Sequence, residues 1–164
     1  MQKIGFGTDI HRLEPGLPLY FGGVEIESDR GAVGHSDADA LSHAVTDAVL
    51  GALALGDIGT HFPNSDDRWR NAESFVFLKY AVGLARERGW AIGNVDSVVT
   101  LESPKLSPYI DRIRESLANV LGVEKDCVSV KAKTSEGVGE IGRREAVRAE
   151  AIVLLQRIDG RNEP

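Results

Sequence analysis

The sequence predicts a mixed α/β (α+β) single domain, a four- to five-stranded sheet with three helices packed on one face. Three observations carry this expectation. β-patterned segments open and close the chain, three segments of helical apolar spacing lie between them, and each of those segments runs into a glycine. The chain of 164 residues, 42% hydrophobic, is long enough for one core and too short for two ordinary domains. The domain is expected over residues 1–158, with 159–164 as a disordered tail.

Residues 2–13 read as a strand containing Gly5 and Gly7, and Leu19 to Ile26 as a hairpin turning on Gly22 and Gly23. From Asp37 to Leu55, apolar residues at 41, 44, 45, 48, 49, 52 and 53 predict a helix that Gly56 stops, with Ser36 or Asp37 as its cap. A long Gly, Pro, Asn and Asp-rich loop follows to Asn71, of a length that points to function. A second helix is expected over 72–88, a strand over 92–102, a third helix over 107–121 closed by Gly122, and strands over 127–133 and 146–158. Helices on one face leave the other sheet face in need of cover, a hint of self-association.

The bulk properties narrow the function. With 19 basic and 25 acidic residues the net charge is −6, so the surface repels nucleic acid and anionic lipid, and any polyanion must be met locally. The most apolar stretch, 44–55, is broken by Thr46 and Asp47 and is too short to span a membrane. The N-terminus lacks the apolar run of a signal peptide, and the single cysteine, Cys127, set before Val128 and Val130, reads as core packing. A reduced, cytoplasmic setting is expected.

Asp9-Ile10-His11 is the sharpest local signal, because positions i and i+2 of a strand point to one side and place a carboxylate beside an imidazole. His43 lies within the first predicted helix with Asp39 and Asp47 four residues to either side, on one helical face. That stripe is either a solvated face or a metal-ligating histidine whose second nitrogen donates to a carboxylate. Two imidazoles and one carboxylate are the donor set of a catalytic zinc site that keeps its fourth position open. His35 precedes the helix start, where free N–H groups favour an anion. Lys131 to Gly139 runs from a strand into a glycine turn. It is either an ordinary hairpin turn or a phosphate-holding segment in which Glu136 offers an oxygen to Mg²⁺. Glu102 to Leu106 connects a strand to a helix, with Pro104 shaping the turn and Lys105 able to meet a phosphate. His61 reads as an exposed loop residue.

Taken in order, Gly7-Thr8-Asp9-Ile10-His11-Arg12-Leu13, His35-Ser36-Asp37-Ala38-Asp39-Ala40-Leu41-Ser42-His43, Gly56-Asp57-Ile58-Gly59, Phe62-Pro63, Pro104-Lys105-Leu106 and Thr134-Ser135-Glu136-Gly137 closely resemble the 2-C-methyl-D-erythritol 2,4-cyclodiphosphate synthase family. The resemblance implies a zinc-dependent lyase of non-mevalonate isoprenoid biosynthesis. It closes a cyclic diphosphate from 4-diphosphocytidyl-2-C-methyl-D-erythritol 2-phosphate and releases CMP. It implies Asp9, His11 and His43 on zinc, Glu136 on Mg²⁺ or Mn²⁺, and His35 and Thr134 flanking the reacting phosphates. Ser36, Asp57 and Gly59 would surround the methylerythritol part. Pro104, Lys105, Leu106, Ala132, Lys133 and Ser135 would receive the cytidine and its phosphate, and Ile58, Phe62, Asp66 and Arg143 would be further substrate-binding positions. A homotrimer with active sites between subunits is implied as well, and it would cover the open sheet face.

The sequence departs from the family pattern at Asn64, where Asp is usual, at Lys133, at Glu140 and at Arg144. Two other functions fit the same residues less fully: a metal-dependent phosphohydrolase using zinc-activated water, and a non-catalytic trimeric module binding nucleotide or prenyl diphosphates. No fused cytidylyltransferase, which some members carry, is expected from the start at Met1.

Overall fold

The computed structural model describes residues 1–63, 65–69 and 72–158. The expected departure at Asn64 and the expected tail at 159–164 lie outside the described residues. Among the described residues, seven strands and five helices follow in chain order: β1 (Gln2–Pro15), β2 (Leu19–Phe21), β3 (Val24–Ile26), β4 (Arg30–Ala32), α1 (Ala40–Ala52), α2 (Ile58–His61), α3 (Ser74–Glu87), β5 (Trp90–Thr100), α4 (Ile110–Leu121), β6 (Val128–Lys133), α5 (Gly139–Gly142) and β7 (Ala146–Arg157).

The main sheet has five strands in the order β4-β1-β7-β5-β6, and β2 pairs with β3 in a separate hairpin. Within it β5 runs parallel to β6 and antiparallel to β7, which in turn runs antiparallel to β1. The expected architecture is therefore present, since α1, α3 and α4 all pack on one face of this sheet. Alternation decides which side chains face them: Val147, Ala149, Ala151, Val153 and Leu155 of β7 are buried with Val95 and Val99 of β5. A bulge at Gly93 resets the parity of β5.

Two glycines set how close α1 comes to the sheet. A Cβ on Gly5 would lie 1.8 Å from the Ala48 carbonyl oxygen, and one on Gly7 would lie 2.0 Å from that of Ala44. The helix backbone thus rests directly on the strand, and the one-turn step from Ala48 to Ala44 matches the two-residue step from Gly5 to Gly7. Continuing along the strand, Asp9 and His11 come next on the buried side, level with His43.

Several element boundaries differ from expectation. α1 begins at Ala40 rather than Asp37, because Ala38 is in the left-handed region at φ 55° and Asp39 is the cap, accepting from the Ser42 N–H. Neither Ser36 nor Asp37 caps α1. The long loop contains the one-turn helix α2, capped by Asp57, and a 3₁₀ turn at Asp67–Trp69. Cys127 ends a 3₁₀ turn before β6 and is half-buried, not a strand core residue. His61 is half-buried as well, with Nε2 2.9 Å from the Leu55 carbonyl and its ring against Tyr80 and Phe62.

Candidate metal centre and clefts

Asp9, His11 and His43 meet where β1 passes under α1. His11 Nε2 lies 2.8 Å and His43 Nδ1 2.9 Å from Asp9 Oδ2, and the two ring nitrogens are 3.3 Å apart. The outward nitrogens have partners of their own. His11 Nδ1 is 2.8 Å from the Val33 carbonyl, which makes that nitrogen the N–H of the neutral ring and leaves Nε2 as a lone pair, whereas the protonated ring donates from Nε2 to Asp9. Three donor atoms thus converge on one point, the arrangement that a cation with an affinity for imidazole and carboxylate fits. Among the described residues this is the only such cluster of His, Cys, Asp and Glu.

Electrostatics agree with that fit. Burial opposes ionisation of Asp9, yet the hydrogen bonds from His11 and His43 outweigh it and hold the carboxyl well below its ordinary range. Burial likewise disfavours the His11 imidazolium, but the bond to Asp9 and its charge raise the pKa overall. A proton on the rings and a bound cation compete for the same lone pairs.

The helical stripe resolves differently from both sequence readings. Asp39 is fully buried and ties the hairpin to α1, accepting from the Gly23 N–H at 2.7 Å and the Ser42 hydroxyl at 2.8 Å. Asp47 accepts from the Ile58 N–H at 2.8 Å and so anchors α2, with burial raising its pKa. The outer nitrogen of His43 meets neither carboxylate but the Ser74 hydroxyl, at 2.7 Å. Ser74 and the aromatic residues Trp69 and Phe77 beside the site went unseen in the sequence, where Ser74 and Phe77 fall inside the helix expected over 72–88 and carry no signal of their own.

The triad opens into a cleft of about 350 Å³, lined also by His35, Ser36, Asp47, Asp57, Ile58, Gly59, Phe62, Trp69 and Phe77. Asp57 caps α2 through the Thr60 N–H and hydroxyl, and these bonds lower its pKa. A second cleft of about 220 Å³ lies across the sheet, lined by Leu101, Glu102, Pro104, Lys105, Leu106, Ser107, Ala132, Lys133 and Thr134. The expected site residues are therefore split between two places on one chain. Three strand spacings separate β1 from β6 in the sheet order, or about 14 Å at ~4.8 Å each.

Four expected residues line neither cleft. Glu136 sits in the left-handed region at φ 51° on the turn after β6 and accepts from the Thr134 hydroxyl at 2.9 Å, apart from the triad. Ser135 donates its hydroxyl to the Val138 carbonyl and its N–H to Glu102. Asp66 is paired with Arg68 at 2.6 Å, and Arg143 with Glu145 at 2.9 Å. Of the departing residues, Glu140 faces Arg148 at 4.0 Å, while Arg144 pairs with Asp29.

Comparison with known proteins agrees with this geometry. The profile of the YgbB family matches residues 2–156. The 2-C-methyl-D-erythritol 2,4-cyclodiphosphate synthase of Thermosynechococcus vestitus is 53% identical over 154 residues, 94% of this chain and 96% of the relative. The enzyme of that name from Xylella fastidiosa is 51% identical over 158 residues, 96% of this chain and 90% of the relative. A solved 2C-methyl-D-erythritol-2,4-cyclodiphosphate synthase in its CDP-bound form superposes with a TM-score of 0.88 at 45% identity, covering 94% of this chain and 100% of the other. With the converging Asp9, His11 and His43 and a match over nearly its whole length, the chain belongs to the YgbB family, the 2-C-methyl-D-erythritol 2,4-cyclodiphosphate synthases.

Proposed function

We propose that this protein is a phosphorus–oxygen lyase that converts 4-diphosphocytidyl-2-C-methyl-D-erythritol 2-phosphate into 2-C-methyl-D-erythritol 2,4-cyclodiphosphate and CMP, in the cytoplasm. The observation that carries the reading is the triad of Asp9, His11 and His43 opening into a cleft, in a chain of this family. Two imidazoles and a carboxylate suit zinc with one position left for a phosphate oxygen, and zinc bound there supplies Lewis-acid polarisation of that oxygen.

The chain's own residues position and neutralise charge. His35 and Ser36, which line the triad's cleft, orient the phosphates, while Asp57 and Gly59 hold the hydroxyls of the methylerythritol part and Ile58 and Phe62 its methyl side. No side chain acts as nucleophile. The substrate's 2-phosphate oxygen attacks the β-phosphorus, the bond from that phosphorus to the bridging oxygen breaks, and CMP leaves with the electron pair.

Cytidine and its phosphates belong in the second cleft, where Pro104, Leu106 and Ala132 offer apolar walls and Lys105 and Lys133 offer cations. The CDP held by the solved relative supports a cytidine site in this family. Thr134 and Ser135 flank the diphosphate, Glu136 would hold Mg²⁺ or Mn²⁺ against it, and Arg143 and Asp66 are further substrate contacts. One chain keeps its two clefts apart, so the site is completed by a neighbouring copy in a homotrimer. The open sheet face supports that assembly, since Ile4, Phe6 and Ile152 are 71%, 59% and 49% exposed there.

³¹P NMR of the protein with zinc, Mg²⁺ and the cytidine diphosphate substrate tests the reading. Equimolar CMP and a cyclic diphosphate are expected. Inorganic phosphate would establish a hydrolase instead, and an unchanged but broadened substrate spectrum would reduce the protein to a binding module.

A further inference from the structure

We propose that Ser74 and Asp37 are a positioning pair that dictates which nitrogen of His43 faces the metal. The inference rests on the reading of Asp9, His11 and His43 as a zinc site. Its observations lie outside that triad, on the loop before α1 and the first residue of α3.

Ser74 is fully buried, and Asp37 grips it twice: one carboxylate oxygen accepts the Ser74 N–H at 2.9 Å and the other accepts the Ser74 hydroxyl. A hydroxyl has one hydrogen, and a carboxylate can only accept. The Ser74 hydrogen is therefore committed to Asp37, and Oγ can face His43 Nε2, 2.7 Å away, only as an acceptor. The hydrogen on the ring must then sit on Nε2, which leaves the Nδ1 lone pair pointing at Asp9 and His11. His11 reaches the opposite tautomer through Val33. Each ring is thus set by its own partner, Val33 just after β4 and Ser74 at the start of α3, and both present a lone pair to the same point.

Helix capping explains only part of this arrangement. Asp37 does cap α3, because Glu73 makes no side-chain capping bond and the Ser74 N–H finds its acceptor in Asp37. Capping leaves the Ser74 hydroxyl bond to His43 unexplained. The Asp37 N–H also donates to the Ala72 carbonyl at 3.1 Å, so the two loops are joined by backbone as well as side chain. Ser36 Oγ lies 3.2 Å from the same imidazole nitrogen, a longer and weaker second contact.

The test compares wild type, Ser74→Ala, Ser74→Thr and Asp37→Asn by zinc competition against a chromophoric chelator and by the visible spectrum of the Co²⁺-loaded proteins. Loss of an outer partner of a ligating histidine weakens metal binding by roughly 10–100-fold. Ser74→Ala is expected to show that loss with a shifted Co²⁺ band, while Ser74→Thr, which keeps the hydroxyl, restores both. Wild-type zinc affinity and spectrum in Ser74→Ala would overturn the proposal. If Ser74→Ala does not fold, Asp37→Asn decides: it keeps an acceptor for the α3 cap but frees the Ser74 hydrogen, so unchanged affinity overturns the proposal and weakened affinity supports it. A wild-type protein that fails to take up zinc would instead overturn the metal reading itself.

Discussion

At the scale of single residues, the site is a competition between protons and a cation for three lone pairs. His43→Ala should remove bound zinc and turnover together, as measured by elemental analysis and ³¹P NMR, and unchanged zinc content would remove His43 from the ligand set. The pH dependence follows from two opposed shifts. Asp9 is lowered from 3.8, so its contribution to stability is complete above that value and is lost as pH falls through the folded pKa. His11 is raised from 6.5, so its contribution is complete below that value and is lost as pH rises through the folded pKa. The metal-free protein should therefore lose the stabilisation of this pair above the His11 pKa, where zinc no longer competes with a proton. Thermal melts with and without zinc should show a larger zinc increment at about pH 8 than at about pH 6, and the reverse order would contradict the pairing. Glu136→Ala should keep zinc and weaken only the Mg²⁺-dependent turnover, and a wild-type Mg²⁺ response would discard that role.

At the scale of elements, the metal centre depends on how closely α1 rests on β1. Gly7→Ala places a methyl 2.0 Å from the Ala44 carbonyl, a backbone atom that cannot rotate away. The helix must lift, which should cost about 1–3 kcal/mol and carry His43 away from Asp9. Urea unfolding of the metal-free protein and zinc affinity should both report the change. A fully stable variant with wild-type zinc binding would mean that α1 can slide without penalty. Asp47 plays a comparable part for α2: its bond to the Ile58 N–H holds the one-turn helix that carries Asp57 and Gly59 into the cleft.

For the whole molecule, the question is what covers the sheet face opposite the helices. Ile4 and Phe6 on β1 and Ile152 on β7 present apolar side chains there, with Phe6 directly opposite Ile152 in the ladder. In the proposed trimer this face is interior. Ile152→Asp should yield monomers by light scattering, with turnover lost because the two clefts no longer meet, yet with zinc still bound by the triad. A trimeric, active Ile152→Asp protein would move the interface elsewhere.

What the sequence by itself determined was local: the strand that places Asp9 and His11 on one side, the helix bearing His43, although it ends at Ala52, short of the expected stop at Gly56, the later two helices that run into Gly89 and Gly122, and the alternation of the last strand. Those follow from periodicities of two and of 3.6 residues, which need no knowledge of neighbours. Resemblance added the ligand trio as a set. Tertiary structure alone decided which partners complete the site. Sequence spacing offered Asp39 and Asp47 to His43, but the first was spent on the hairpin and its own helix and the second on α2, while Ser74, 31 residues away, supplied the bond. Spacing within one helix names only residues on the same face. The outer nitrogen of His43 points off that helix, toward whatever the fold packs against it, and α3 arrives there because Asp37 caps it from a distant loop.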